Sequence, residues 1–339
     1  MTLGVAVRKE VAEKVITLLK KRGLLNTSFK IKRSEDLVIV PVVEAHNVLE
    51  ILREAGIEAF VVEEEFEKAP ERPRPLSEFS KVSSYSVIGD IAVFSWRSYM
   101  NLEEYKTIAQ ELIRQQPRIK AVFLKTETWG DFRVQRLVHL AGEERTWTVH
   151  KEYGLLFYTD IAKVYFNPRL STEHRRIAEE SSDEDLVFDM FAGVGGYSIH
   201  IANLRRAKVL ASDLNEIAVY YLTKNVMVNK KALRGSVFPI RLDASIASKV
   251  LKPVFTRLIL DSPTASLDFL GETCRLASSK AVAHVYVRAS SCKEAVETVL
   301  SGLARCCKRA EELYCREVLE YAPGVSIYNA SFTISGVQA

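Results

Sequence analysis

The sequence predicts an α/β protein: a C-terminal doubly wound parallel sheet preceded by two smaller α+β modules. Three observations carry this. From about Ile161 onward, short apolar runs alternate with helical periodicities, the pattern of helices crossing over a parallel sheet. Within that region an apolar run ends in Asp189 and passes through a turn of small residues into a helical pattern. Finally, A-P-E-R-P-R-P-L-S at residues 69–77 is proline-rich and polar, so it resists both helix and sheet and reads as a linker. The 339 residues suffice for two or three domains with real cores.

The elements follow in order. Val11, Val15, Leu18 and Leu19 recur at helical spacing before Gly23, which suits a helix stop, and D-L-V-I-V-P-V-V reads as a strand. Residues 1–68 therefore form a small α/β module, followed by a linker over 69–80. A middle α+β domain over 81–160 has strand-like runs at 86–95, 121–125, 146–150 and 155–158, and a helical stretch at 102–115. The third domain, 161–339, finishes with A-V-A-H-V-Y-V-R and S-I-Y-N-A-S-F-T-I, the latter expected to pair antiparallel at the end of the sheet. No internal repeat or low-complexity tract interrupts it.

The net charge of +4 is too small to imply nucleic acid, but its distribution is informative. Residues 1–35 hold nine Lys/Arg against three acids, whereas residues 44–67 hold eight acids against Arg53. A second basic stretch includes Arg118, Lys120, Lys125, Arg133, Arg136 and Arg145, with Phe132 and Trp147 interleaved. Two basic zones outside the third domain suit an RNA-sized polyanion. No apolar stretch approaches a membrane span, and the N-terminus lacks a signal-peptide layout, so the expected location is the cytoplasm. Cysteines at 274, 292, 306, 307 and 315 form no C-x-x-C, and no histidine stands at ligand spacing; buried thiols, and no metal, are the expectation.

The turn itself, D-L-V-F-D-M-F-A-G-V-G-G-Y-S-I-H-I-A at 185–202, is a cofactor turn. It lacks G-x-x-x-x-G-K-[ST] and the full G-x-G-x-x-G spacing, which argues against a nucleoside triphosphate and a dinucleotide. K-V-L-A-S-D ends in Asp213, twenty residues after Gly193, where a carboxylate can accept ribose hydroxyls; R-L-D-A offers Asp243 to an adenine amino group. A nucleoside without pyrophosphate fits best, and S-adenosylmethionine (AdoMet) is the common one. Its expected contacts are Asp189, Phe191, Ala192, Gly193, Val194, Gly195, Asp213, Leu214, Asp243, Ala244 and Asp261.

Just before this domain stands V-Y-F-N-P-R-L-S-T-E-H-R-R-I-A. Asn167 and Pro168 suit an N-cap and a first helical position, which would put Arg169 and Glu173 one turn apart on the same face.

These residues carry a resemblance. V-Y-F-N-P-R-L-S-T-E, then D-M-F-A-G-V-G and D-L-N-E, resemble the archaeal and eukaryotic tRNA (guanine-37-N1)-methyltransferase family. V-I-G-D-I-A-V, F-R-V-Q-R-L-V-H-L-A-G-E, H-K-E-Y-G and Y-A-P-G-V support it, in order along nearly the whole chain. The resemblance implies a class I (Rossmann-like) methyltransferase domain binding AdoMet in a bent form. It also implies an N-terminal domain on the outer corner of tRNA and a grip on the anticodon stem-loop by the other two domains; a monomer is the expectation, though the sequence does not fix the oligomeric state. Arg133, Tyr165, Arg169 and Glu173 match the family's functional positions, with Asn167, Pro168, Ser262, Pro263 and Thr264 on the substrate side. Asp261 departs from the common N-L-P: the chain reads D-S-P-T, similar to an archaeal subgroup linked to wyosine synthesis.

The chemistry gives these residues roles. Guanine N1 must lose a proton before it can attack a methyl group, and charge then develops on O6. Glu173 is the candidate base, a role typically worth about 10² to 10⁴ in rate. Arg133 would meet O6, Tyr165 would position the base, and Arg169 would hold Glu173 or a phosphate. Two alternatives stand beside N1 methylation. One is a wyosine-pathway reaction on modified guanosine 37, either C7 methylation in addition or aminocarboxypropyl transfer instead; the other is a non-catalytic tRNA-binding protein. The Tyr165, Arg169, Glu173 set favours deprotonation of guanine N1.

Overall fold

The computed structural model describes residues 2–34, 36–69, 85–129 and 134–337. Most of the expected linker, and the candidate Arg133, lie outside the described residues. The chain divides into two compact units, Met1–Arg74 and Pro75–Ala339.

The first unit holds β1 (Thr2–Arg8), α1 (Ala12–Lys21), β2 (Lys32–Arg33), β3 (Leu37–Pro41), α2 (His46–Glu54) and β4 (Phe60–Glu64). Its sheet runs β2-β3-β1-β4, with Val5 of β1 opposite Val40 on one side and Val61 on the other. α1 buries Val15 and Leu19 in a cluster with Val38, Val40, Val48 and Leu52, and leaves Lys14, Lys20 and Lys21 exposed. Gly23 ends the helix in the left-handed region (φ 71°), so the predicted stop is real.

The second unit opens with β5 (Tyr85–Ile88), β6 (Ile91–Ser95), α3 (Leu102–Gln115), β7 (Ala121–Trp129) and β8 (Val134–Gly142), in the order β5-β6-β7-β8. α3 starts where Asn101 Oδ1 accepts the Glu104 N–H and Glu104 returns the favour at the Asn101 N–H, a reciprocal capping box. It crosses over between the parallel strands β6 and β7, burying Tyr105, Ala109 and Leu112. A hairpin follows, β9 (Trp147–Glu152) and β10 (Leu155–Asp160), turning at Tyr153 and Gly154, both with positive φ.

The remaining elements are α4 (Ser171–Glu180), β11 (Leu186–Asp189), α5 (Gly196–Leu204), β12 (Lys208–Asp213), α6 (Glu216–Asn229), β13 (Ser236–Arg241), α7 (Ala247–Val250), β14 (Phe255–Leu260), α8 (Leu270–Leu276), β15 (Ala277–Ala289), α9 (Cys292–Leu303), β16 (Cys307–Ala322) and β17 (Val325–Val337). They build a seven-stranded sheet, β13-β12-β11-β14-β15-β17-β16. β13 to β15 are parallel, and β17 runs antiparallel to both β15 and β16. This is the expected doubly wound sheet with its antiparallel ending, the class I methyltransferase arrangement. The sequence reading missed β16, which is rich in exposed charged residues as befits an edge strand, so it shows no apolar alternation.

One face of this sheet shares a core with the β5–β8 sheet, where Ile88, Ile91 and Phe123 join Phe157, Ile177, Tyr197 and Tyr286. The other face is packed by Phe188, Leu258, Leu270, Val285 and Phe332. The cysteines correct one expectation, because they are not isolated thiols. Cys274 on α8 has Cα separations of 5.9 Å to Cys306 and 5.3 Å to Cys307, and Cys292 lies 5.7 Å from Cys315, all within bridging reach.

Candidate active site

Strand order reverses between β11 and β14, and at such a point the strand ends open a crevice for ligands. The predicted acids stand along it: Asp189 ends β11, Asp213 ends β12, and Asp243 and Asp261 follow β13 and β14. The turn after β11 needs its glycines. Gly193 (φ 54°) and Gly195 (φ 100°) are in the left-handed region, and a Cβ on Gly195 would sit 2.5 Å from Leu222 Cδ1. A Cβ on Gly196 would meet the His174 ring at 2.5 Å, so α5 begins pressed onto α4.

Hydrogen bonds then fix the turn against its neighbours. The Gly193 N–H donates to Asp213 Oδ2 (2.9 Å), and the Asn215 N–H donates to the other Asp213 oxygen (2.9 Å). Asp243 accepts the Ser245 N–H and caps a short turn at the surface. Phe191 packs edge-on to Phe269, Leu214 is exposed, and Ala192, Val194 and Ala244 are buried. In the D-S-P-T segment the Ser262 N–H donates to Ser266 Oγ, and the Ser262 carbonyl accepts from Ala265 and Ser266. The turn is thus tied by its own backbone.

Asp189 is fully buried, and Ser198 donates to its Oδ2 (2.6 Å), while Oδ1 has no partner among the described residues. Burial pushes its carboxyl up to about 7, the Ser198 bond offsets part of this, and the charges of Asp261 and Asp213 add to it. Burial also raises Asp213, against the backbone N–H bonds it accepts. An AdoMet sulfonium suits these groups: it is a cation beside crowded carboxylates, next to a turn that carries glycine at 193 and 195.

Glu173, also buried, lies in a cage of donors. Its Oε1 accepts Arg176 Nη2 (2.6 Å), Tyr286 OH (2.7 Å) and Asn329 Nδ2 (3.0 Å), and its Oε2 accepts Arg176 Nε (2.8 Å). Burial alone would raise its carboxyl, but the bonds and charge of Arg176, with those of Tyr286 and Asn329, hold it below the ordinary value. The expected pairing of Arg169 with Glu173 is corrected here. Residues 168–170 form a 3-10 turn before α4, so Arg169 points to solvent and the partner is Arg176, three residues on from Glu173. Asn167 does cap this turn, accepting the Arg169 N–H (3.1 Å), with Pro168 at its start.

Tyr165, Asn167, Pro168 and Arg169 line one side of a cleft of about 360 Å³. Lys125 and Ser95 of the middle sheet and Tyr321 at the β16–β17 turn line it elsewhere. The structure thereby brings the Asn-Pro-Arg segment together with part of the second basic stretch.

Two supports escaped the sequence reading. Glu152, buried at the end of β9, accepts at Oε2 from His174 Nδ1 (3.0 Å) and His200 Nε2 (3.1 Å). Burial would raise its carboxyl, but these two hydrogen bonds hold it down at about 2, so it is a carboxylate pinning α4 to α5. Asn225 and Asn229 on α6 act as a partner strand for β10. Asn225 accepts the Tyr158 N–H (2.7 Å) and donates to the Tyr158 carbonyl (3.0 Å) and to the Val194 carbonyl of the cofactor turn (3.0 Å). Asn229 bonds Leu156 in the same two-way manner. Asparagines four apart inside an apolar helix are poor helix formers, and that was a readable signal.

A switch-point crevice rimmed by strand-end carboxylates, with a buried, donor-caged carboxylate and a cleft with basic side chains, defines an AdoMet-dependent methyltransferase. Comparison with known proteins agrees. The TRM5/TYW2 methyltransferase domain matches residues 148–314, the tRNA methyltransferase 5 N-terminal domain residues 4–50, and the TYW2 N-terminal domain residues 75–146. The tRNA (guanine(37)-N(1))-methyltransferase Trm5b of Pyrococcus abyssi is 33% identical over 298 residues, covering 84% of each chain. The solved complex of aTrm5 and tRNALeu superimposes with a TM-score of 0.71 at 30% identity, covering 98% of this chain and 100% of that one. Methanocaldococcus jannaschii Trm5 in complex with adenosine gives 0.65 at 30% identity, covering 98% and 99%. The chain belongs to the TRM5/TYW2 methyltransferase family.

Proposed function

We propose that the protein transfers the methyl group of AdoMet to N1 of guanosine 37 in tRNA, with Glu173 as the base. The carrying observation is the asymmetry of the Glu173 cage. Oε1 is saturated by Arg176, Tyr286 and Asn329, whereas Oε2 accepts only Arg176 Nε among the described residues, which leaves a lone pair for one more donor. Guanine N1–H is such a donor.

Bound AdoMet supplies a methyl group on a sulfonium, a leaving group that needs no metal to activate it. The chain's task is the proton and its charge. The lowered pKa keeps Glu173 ionised at neutral pH, so Oε2 takes the N1 proton as the N1 electron pair turns to the methyl group. Arg133 is assigned to the charge that develops on O6, where one preorganised donor is worth on the order of 3 kcal/mol. Tyr165 and Asn167 border the guanine, and Arg169 and Lys125, facing the same cleft, take phosphates. Moving guanosine 37 into the site costs little because it lies in a loop. The basic N-terminal module adds a second contact to tRNA, and the protein acts as a monomer in the cytoplasm, where its substrate is.

The test is nucleoside mass spectrometry of a tRNA transcript incubated with AdoMet. 1-Methylguanosine should form with guanosine at position 37 and not with adenosine there. Glu173→Gln should slow the chemical step by about 10² or more while leaving AdoMet affinity within a few-fold. Equal methylation of both transcripts would overturn the assignment.

A further inference from the structure

We propose that Cys274–Cys307 and Cys292–Cys315 are disulfide bridges of the folded chain, with Cys306 kept as a thiol able to displace Cys307 from Cys274. This stands apart from the methyl-transfer reading. Cys274 has both Cys306 and Cys307 within bridging Cα separation, yet one sulfur makes one disulfide. The surroundings decide between them. Cys306 Sγ lies 3.4 Å from the Leu270 carbonyl, 3.5 Å from that of Leu303 and 3.8 Å from that of Gly302, a nest of acceptors that suits an S–H donor. Cys307 is buried at the first position of β16 and makes no such hydrogen bond among the described residues. The three sulfurs also form a possible ligand cluster, but among the described residues no fourth His, Cys, Asp or Glu joins it, so it falls short of a closed zinc site.

The location gives the bridges a task. β16 ends the seven-stranded sheet, so it is held by one neighbouring strand only. One bridge ties its first residue to α8, and the other ties Cys315, farther along it, to the first turn of α9. Tyr314, next to Cys315, bonds Arg176 of the Glu173 cage (2.8 Å), so the stapled strand also backs the active site.

Each bridge forms by exchange with a small-molecule disulfide: two cysteine thiols are oxidised and the reagent leaves as two thiols. The internal exchange needs no oxidant. The Cys306 thiolate attacks Cys274 Sγ, the bond to Cys307 breaks, and Cys307 leaves with the electron pair and takes up the proton that Cys306 gave.

The test treats the full chain with oxidised glutathione, blocks thiols with N-ethylmaleimide after denaturation, and maps tryptic peptides without reduction. One maleimide per chain is expected, against five after reduction. Peptide 258–275 should be linked to 306–308, and 289–293 to 310–316. Cys306→Ser should keep both links and abolish labelling, whereas Cys307→Ser should re-form the first link through Cys306. Five labelled thiols before reduction, or one tightly held zinc per chain by elemental analysis, would overturn the bridges. A Cys307→Ser chain with Cys274 alkylated would overturn the exchange.

Discussion

Replacing Asp189 by Asn should make the AdoMet-free fold more stable and the cofactor less welcome. Asp189 is wholly buried, and its carboxyl stands at about 7 rather than the ordinary 3.8. A carboxyl raised in the folded state binds protons there that the unfolded chain has already lost, so it costs stability as pH rises from 3.8 toward 7. At pH 8 the full shift of roughly three units corresponds to a cost on the order of 4 kcal/mol. Asn avoids that charge and can keep accepting from Ser198, but its NH2 would occupy the site of Oδ1, which has no partner among the described residues. That orphaned group costs about 1–3 kcal/mol, so the net gain should be about 1–3 kcal/mol at pH 8. At pH 4 the charge cost has almost gone, because Asp189 is then protonated in the folded state, and the unpaired NH2 should leave the variant no more stable than wild type. Urea unfolding of both proteins at the two pH values measures this directly. AdoMet brings a cation toward the carboxylates and should drive Asp189 to ionise, so wild-type binding near pH 7 releases protons and tightens with pH. Calorimetry in buffers of different ionisation enthalpy reads that release. A variant no more stable at pH 8, or an advantage independent of pH, would refute the reasoning.

Four further outcomes follow from the same contacts. Glu152→Gln should cost on the order of 3 kcal/mol at pH 7, because a carboxyl held near 2 stabilises the fold above its ordinary 4.5 and loses this as pH falls toward 2; equal urea midpoints for variant and wild type would contradict it. Tyr286→Phe removes a donor from Glu173 Oε1, so the acidic limb of the kcat/KM profile should move to higher pH; an unmoved limb would mean that another group titrates there. Asn225→Ala strips the bonds to Tyr158 and Val194 and should cost about 2–4 kcal/mol and weaken AdoMet binding, readable by thermal unfolding and calorimetry. Removing residues 1–74 should raise KM for full-length tRNA but not for an anticodon stem-loop; equal losses on both would show that the module serves folding instead.

Much of the site was legible because its constraints are local. The glycines at 193 and 195 are demanded by backbone angles, and the Asn167 cap by a neighbouring N–H, so each leaves a mark within a few residues. The acids at 189, 213, 243 and 261 were readable because each follows an apolar run, and parallel strands place their ends together. The Arg169–Glu173 pairing failed for an equally local reason: a 3-10 turn and an α-helix advance by different angles, and spacing alone does not say where one gives way to the other.

What the sequence by itself determined was the class of fold, the nucleoside-type cofactor turn and the family, since these rest on periodicity, turn chemistry and ordered motifs. The tertiary structure alone decided who holds the carboxylate of Glu173, the proposed base. Glu173 receives Tyr286 and Asn329 from strands more than a hundred residues away, and Glu152 gathers His174 and His200 from two helices. It likewise decided which cysteines meet. Such contacts depend on which strands become neighbours in the sheet, and a buried charge is tolerable only where that packing delivers its donors.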